Sequence, residues 1–299
     1  MKISILSAVH NEELHIQQMI ESVAKQTHDN WELLFVSDGS TDATEQIIKN
    51  NIANEPRIRL VGDGEKIGKV AAFNRAYEES TGDLFVLLAG DDTLPEDSLH
   101  FRTAVFTAED PANPSPKSSF CKLKIISADA SVDSQVLPRG TSGAHSGGTV
   151  AFNRHAAQMV FPIPQTLISE DLWLTRVIEA FSEEVHELTK VGLNYRVHEG
   201  NSNPRRRPFD EMCKSTSKRH RAWEELLNSE RFILPDAYRS ELLIQRDLEA
   251  LRKKHATVSI LCYPKAPLTD KLAYASMSNQ HLYAIRSRFY SLFSGWRGR

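Results

Sequence analysis

The sequence predicts an α/β fold with a largely parallel mixed sheet, followed by a mainly helical C-terminal region. Three observations predict it. Apolar runs of strand length alternate, over the first two hundred residues, with segments whose apolar positions recur every three to four residues. The strand runs are almost continuously apolar, as strands covered on both faces are. Beyond residue 200 only helical patterns remain.

Taken in order, ISILSAV (Ile3–Val9) is an apolar, β-branched first strand. NEELHIQQMIESVAKQT follows, where Asn11 is placed to cap a helix with Ile16, Met19, Ile20 and Val23 on one face. WELLFVS is the second strand, and Ser40, Thr41 or Asp42 can cap a helix carrying Ile47 and Ile48. IRLVG (Ile58–Gly62) is the third strand. From Lys69 a helix sets Val70, Phe73 and Tyr77 on one side, and Gly82 breaks the pattern before the strand LFVLLA. Repeated βα units of this kind place ligands at the carboxyl ends of the strands. Asp38, Asp91 and Asp92 fall there. ADPANPSPKSS (Ala108–Ser119) and VLPRGTSGAHSGG (Val136–Gly148) are too rich in Pro, Gly and Ser for regular structure and read as loops.

Composition narrows the class. The 299 residues are 40% hydrophobic and 25% charged, as in ordinary globular proteins. Three widely spaced cysteines form neither a disulfide framework nor a zinc pattern. The first strand is too short an apolar run for a signal peptide, and nothing approaches the ~20 apolar residues of a membrane span. The expected compartment is cytoplasmic, with a peripheral place on the cytoplasmic face of the inner membrane as the further expectation. The net charge of −3 hides a split: residues 1–200 carry 17 basic against 29 acidic side chains, and residues 201–299 carry 19 against 10.

Two strand ends carry the chemistry. FVSDGSTD (Phe35–Asp42) and FVLLAGDD (Phe85–Asp92) each run from apolar residues straight into carboxylates. A dinucleotide-binding domain would need G-x-G-x-x-G after the first strand, and nucleotidyltransferases a Gly-rich loop; this chain has SAVHNEE there. Carboxylates repel a diphosphate unless a divalent cation lies between them, and hard cations take oxygen ligands. GDD therefore suggests a metal–diphosphate site, and SDGSTD a polar pocket for a nucleobase or ribose. Alone, each is an ordinary turn sequence.

In order, the blocks are more specific. NEE, VSDGSTD, GKVAAFNRA and TGDLFVLLAGDD, then SGGTVAFNR (Ser146–Arg154), SEDLWLTRV (Ser169–Val177) and YRVHEGNSN (Tyr195–Asn203), resemble family 2 nucleotide-sugar glycosyltransferases. The resemblance spans roughly residues 2–203. It implies the GT-A fold, a Rossmann-like three-layer sandwich, and an inverting, metal-dependent transfer of one sugar from a nucleoside diphosphate sugar, a UDP-sugar being favoured, to a glycan or lipid-linked acceptor. It implies roles as well. Asn11, Glu12 and Asp38 would line the nucleotide pocket, Asp91 the ribose and metal region, and Asp92 the metal (Mg²⁺ or Mn²⁺). Asp171 would be the general base with Glu170 as the neighbouring candidate, and His198 a late metal or diphosphate ligand. Ala89 stands where the family often has a further acid, and Phe73 where it often has arginine, so Lys69 or Arg75 would supply the positive charge near the phosphates. SED alone would read as a helix cap.

The expected domains are a catalytic region, 1–204, and a basic, mainly helical region, 205–299, with NSNPRRRP (Asn201–Pro208) as the linker. Within the second, PDAYRSELLIQRDLEALRKK offers Asp236 as a cap and Leu243, Leu248 and Leu251 as apolar positions. SNQHLYAIRSRFYSLFSGWRGR places Leu282, Ile285, Phe289, Leu292, Phe293 and Trp296 near one helical face. Such a face suits an anionic membrane surface, and equally its own domain or the partner subunit of a homodimer. The basic zone holds no nucleic-acid reading module, so nucleic acid is not expected. Two alternatives stand beside the enzyme: a catalytically silent sugar-nucleotide-binding module and a membrane-associated scaffold.

Overall fold

The structure, a computed structural model, describes residues 1–106, 115–198 and 208–288. These fall into two compact units, 1–198 and 208–288. The expected linker residues 201–207 and the aromatic positions Phe289, Leu292, Phe293 and Trp296 lie outside the described residues.

The first unit opens with four parallel strands: β1 (Ile3–Val9), β2 (Trp31–Ser37), β3 (Ile58–Val61) and β4 (Leu84–Leu87). They are joined through helices α1 (Ile16–Ala24), α2 (Thr44–Ile52) and α3 (Lys69–Glu78). Then come α4 (Ser98–Ala104), β5 (Lys117–Ser127), β6 (Val136–Leu137), β7 (Val150–Asn153), α5 (Arg154–Val160), α6 (Asp171–Phe181) and β8 (Glu184–Val197). The sheet runs β3-β2-β1-β4-β7-β5-β6, with β8 also paired to β5. β7 is antiparallel to both β4 and β5, while β8 is parallel to β5. The order reverses at β1, whose neighbours β2 and β4 stand on opposite sides, so the crevice for a ligand opens beyond their carboxyl ends.

Burial explains the continuous apolar strands. Every residue of β2 is buried, and Ile16, Met19, Ile20 and Val23 of α1 close on Ile3, Ile5 and Val9 of β1. Each such side chain is worth about 1.5–3 kcal/mol against exposure. Glu32 inside β2 is tolerated because Ser4 Oγ (2.6 Å), Lys2 Nζ (2.8 Å) and the Thr81 amide (2.6 Å) all donate to it.

Several local expectations are corrected. Asn11 does not cap α1, which begins at Ile16 after His15; its left-handed backbone (φ 57°) serves a different purpose, given below. Lys117, Ser118 and Ser119 are strand, not loop, because β7 and β8 pair with them on either side. Val136–Leu137 likewise joins the sheet edge. β8 is not evenly matched to β5: β5 advances three residues, Phe120 to Leu123, while β8 advances six, Glu187 to Leu193. At this bulge Gly192 passes Cys121 so closely that a Cβ would lie 2.5 Å from Sγ.

The second unit contains α7 (Phe209–Asn228), α8 (Asp236–Lys253), α9 (Thr257–Leu261), α10 (Leu268–Ala275) and α11 (Gln280–Arg288). α8 starts at Asp236 itself, behind Pro235, and buries Leu242 and Leu248, with Leu243 and Leu251 half-buried. Its core holds a charged knot. Arg252 donates to both oxygens of Glu249 (2.6 and 2.7 Å), and Ser217 Oγ donates to the same carboxylate (2.9 Å). Burial alone would raise Glu249, but the hydrogen bonds from Arg252 and the nearby His220 ring (Nδ1 3.1 Å from Oε2) pull it down to about 2. No described helix is long and apolar enough to cross a membrane.

Candidate active site

The loops after β1 and β2 are sewn together. Asn11 Oδ1 accepts from the Thr41 amide (2.8 Å), and its own amide donates to Ser40 Oγ (3.2 Å). The Glu12 amide donates to Thr44 Oγ1 (2.7 Å) and the Glu13 amide to Asp42 Oδ2 (3.0 Å), while Glu13 Oε2 accepts from the Ala43 amide (3.0 Å). Asparagine tolerates the left-handed conformation that this splint requires. None of Ser40, Thr41 and Asp42 is the N-cap of α2, which is Ala43 and carries no side-chain cap; Asp42, one residue farther out, accepts from the Thr44 amide (3.0 Å).

Asp38 anchors a third loop. Its buried Oδ1 accepts from the amides of Ile67 (2.8 Å) and Gly68 (2.6 Å), and Lys66 Nζ stands 3.5 Å from Oδ2. Gly39, at φ 72°, has no space for a side chain, because a Cβ would meet Lys66 Cβ at 2.9 Å. Asp38 thus fixes the entry to α3, and through it the position of Lys69.

At the end of β4 the two adjacent aspartates part company. Asp92 is 4% exposed, and its Oδ1 accepts from the Arg196 amide of β8 (2.8 Å). Burial, then the charge of Asp91, holds its carboxyl well above the usual range. Asp91 instead has Oδ2 at 3.0 Å from His198 Nε2. Arg196 fixes this corner by donating to the Asp91 carbonyl (2.9 Å) and to Gln18 (2.8 Å). Glu12 packs over the strand end where Gly90 leaves room; a Cβ there would lie 2.8 Å from Glu12 Cγ. Burial first, and then Asp91 and Asp42, push the Glu12 carboxyl up to about 7. His15, its ring 5.2 Å from that of His198, is lowered by burial and by the positive charge of Arg196.

The SED block closes the other side. Asp171 opens α6, and its Oδ1 accepts a long hydrogen bond (3.3 Å) from the Gly147 amide. Gly147 lets this oxygen approach closely: a Cβ there would sit 2.8 Å from it and push the Asp171 carboxylate aside. Glu170 is 4% exposed; Oε1 pairs with Lys69 Nζ (2.8 Å), and Oε2 is buried without a hydrogen-bond partner. Burial raises Glu170, opposed by Lys69. Burial would lower the Lys69 ammonium, but Glu170, Asp171 and Asp91 together outweigh it and raise it.

The alternatives left by the sequence are thereby separated in space. Lys69 lies among the site acids, whereas Arg75 pairs with Glu78 (3.7 Å) and Glu79 (3.0 Å) along its own helix. Glu12, Lys69, Asp91, Asp92, Glu170, Asp171 and His198 form one neighbourhood; Asn11 and Asp38 support its loops. Sequence reasoning missed Gly147 and Asn74. Asn74 donates to the Ile163 carbonyl (2.8 Å) and accepts from the Ile163 amide (2.7 Å), tying α3 to the segment before SED. The only signal for either was its place inside the SGGTVAFNR and GKVAAFNRA blocks.

The donor set has the chemistry of a divalent cation shared with phosphate. Among the described residues no group of three or more His, Cys, Asp or Glu side chains could hold a metal alone. Asp91 offers a carboxylate oxygen, and ions such as Mg²⁺ characteristically take one or two carboxylates beside phosphate oxygens and waters; the His198 nitrogen beside it is a ligand that transition metals accept more readily than Mg²⁺ does. The residues fit such an ion.

Comparison with known proteins bears on the fold and on the family of the first residues. The family model described as glycosyl transferase family 2 matches residues 4–115. An uncharacterized glycosyltransferase of Haemophilus influenzae is 30% identical over 143 residues, 46% of this chain and 57% of that protein. This chain thus spans little more than half of that relative's length. Among solved structures, S. aureus TarS in complex with UDP-GlcNAc superposes with a TM-score of 0.62 at 18% identity, covering 99% of this chain and 89% of that one. The mannosyltransferase PcManGT from Pyrobaculum calidifontis, in complex with GDP-Man and Mn²⁺, gives 0.59 at 17%, covering 98% and 87%. At these identities the structures establish the fold. Residues 4–115 thus match the glycosyl transferase family 2 model, and the chain as a whole has the GT-A-type fold that the resemblance of its ordered blocks implied.

Proposed function

We propose that this protein is an inverting glycosyltransferase that moves one sugar from a nucleoside diphosphate sugar, a UDP-sugar being favoured, to a glycan or lipid-linked acceptor of surface polysaccharide or glycolipid synthesis. The observation that carries the reading is the position of Lys69. Its ammonium is paired to Glu170 and feels the charges of both Asp171 and Asp91. One cation therefore sits between a candidate base and a candidate metal corner, where a diphosphate sugar would place its anomeric centre and phosphates. The donors bound by TarS and PcManGT, UDP-GlcNAc and GDP-Man, support the substrate class.

Roles follow from the contacts. Asp171, the first residue of α6, takes the proton of the attacking acceptor hydroxyl. Attack from the face opposite the leaving diphosphate inverts the anomeric carbon in one displacement. Lys69 offers positive charge to the phosphates. Glu170, itself buried, holds Lys69 in place through Oε1. Asp38, Asn11 and Glu12 shape the nucleotide pocket. Asp91 and His198, rather than the Asp92 that the resemblance implied as metal ligand, would hold the divalent cation, Mg²⁺ or Mn²⁺, because Asp92 turns inward to accept from the Arg196 amide. When bound, that ion would neutralise charge on the departing diphosphate. The cytoplasm, or the cytoplasmic face of a membrane, is the compartment where such donors are met.

The test is release of nucleoside diphosphate from a panel of sugar nucleotides, with and without Mn²⁺. Turnover of one donor that stops in EDTA and is lost in Asp91→Asn supports the reading. Full turnover in excess EDTA ends the metal assignment. Tight donor binding without transfer to any acceptor would favour the silent binding module.

A further inference from the structure

His145 has no part in the site described above, yet its surroundings are built. It lies in the segment between β6 and β7 that delivers Gly147 to Asp171. Nδ1 stands 2.9 Å from Glu179 Oε1 on α6, and Nε2 stands 2.9 Å from Glu187 Oε1 on β8. The ring stacks on Phe120 of β5, with centroids 4.0 Å apart and planes at 9°. The sheet arranges this: Phe120 and Glu187 are register partners across β5 and β8, so the stacking face and one acceptor arrive side by side. Glu187 Oε2 accepts as well from the Gly143 amide (2.5 Å), and the Ala144 amide donates to the Cys121 carbonyl (2.9 Å).

The charged groups around the ring are few. From α6 come Glu179 and, bound to its other oxygen at 2.8 Å, Arg176; from β8 comes Glu187; β5 contributes only the Phe120 face. A neutral imidazole has one N–H, so it can donate to one of the two carboxylates and turns a lone pair toward the other. The imidazolium donates to both. Two flanking carboxylates accordingly raise His145 against the lowering effect of its burial.

We propose that His145 is a positioning residue for the candidate base: as imidazolium it clamps Glu179 to Glu187 and so holds residues 143–147 where the Gly147 amide can bind Asp171. The inference rests on reading Asp171 as the base. Asp171 and Glu179 belong to the same helix, eight residues or about 12 Å apart. The segment is thus fastened to α6 at two points, through Gly147 near its start and through His145 near its end. Loss of the second proton leaves a carboxylate facing a lone pair, and the Gly147 contact loosens.

The experiment follows the Gly147 amide by NMR from pH 5.5 to 9.5, beside the His145 ring signals, in the full chain. The Gly147 amide shift is expected to move with the His145 titration and to lose hydrogen-exchange protection by about tenfold above it. His145→Phe, which keeps the stack, should remove the titration and show the unprotected amide throughout. Glu187→Gln removes one carboxylate that favours the charged ring and should lower the midpoint by about one pH unit; it serves equally should His145→Phe not fold. In Asp171→Asn the His145 titration should persist with an unchanged midpoint. An amide that ignores the ring titration, or equal protection in wild type and His145→Phe, overturns the clamp. Full donor turnover in Asp171→Asn would instead overturn the base assignment while leaving the ring titration as it is.

Discussion

Two groups of carboxylates, the helical unit's Glu249 and those at the sheet edge after β1, β4 and before α6, are treated in opposite ways. In the helical unit, Glu249 receives Arg252 on both oxygens and Ser217 on one, and is pulled down to about 2. At the sheet edge, Glu12 is pushed up to about 7, Asp92 and Glu170 are raised, and Glu170 Oε2 has no hydrogen-bond partner. A fully paired carboxylate is a fastener. A cluster of under-compensated ones is a place where positive charge or a hydroxyl donor is still wanted, and perturbed acids of this kind gather at functional sites. The contrast separates paired from under-compensated charge within one chain.

Four measurements would break or sharpen it. Asp171→Asn carries the largest expected effect, a turnover loss of about 10²–10⁴ with nucleotide affinity by calorimetry nearly unchanged. A collapse of nucleotide affinity with turnover retained would move Asp171 out of the base role. The next is in the helical unit, where Glu249→Ala strands a buried guanidinium and should cost about 3–5 kcal/mol in urea unfolding. Because the folded carboxyl lies below its ordinary value, this contribution is present above about pH 4.5. It is lost as the pH falls toward about 2, so wild type and variant should converge in acid. Glu12→Gln has the opposite sign. A carboxyl raised from 4.5 to about 7 makes the folded state less stable as pH rises through that window. In EDTA at pH 8 the variant should be more stable by about 1–2 kcal/mol after solvent screening, with no difference near pH 4. The smallest effect belongs to Arg75→Ala, whose exposed pairs along α3 should shift stability by under about 1 kcal/mol and leave nucleotide affinity alone, whereas Lys69→Met should weaken it. Equal losses from the two would erase the distinction drawn between them.

The first four strands were legible because each is a mostly apolar run with acids or glycine close behind it, and burial of most of their side chains allows little else. The helical faces of α1 and α3 were legible for the same reason. What escaped depends on partners distant in sequence. Asp91 and Asp92 are neighbours of the same type, and only the arrival of Arg196 from β8 sends one inward. Lys117–Ser119 reads as loop by composition, but two flanking strands impose extended pairing on it. Lys69 and Arg75 are equally basic residues of one helix; the first stands at its N-terminus beside Glu170, the second beside its own last-turn acids. His145 shows nothing locally, since its glutamates lie 34 and 42 residues away.

The unequal pairing of β5 and β8 has a consequence for how such a chain can diverge. Glu187 lies before the slack and Asn194, Arg196 and Val197 after it, so each half of β8 keeps its own register with β5. A residue gained or lost between Leu188 and Val191 would change the size of the bulge and leave both ladders matched. The same change after Leu193 would displace Arg196 from Asp92 and carry His198 away from Asp91. Length variation should therefore be tolerated in one short window of this strand and purged just beyond it. A deletion scan read by nucleotide binding would map that window.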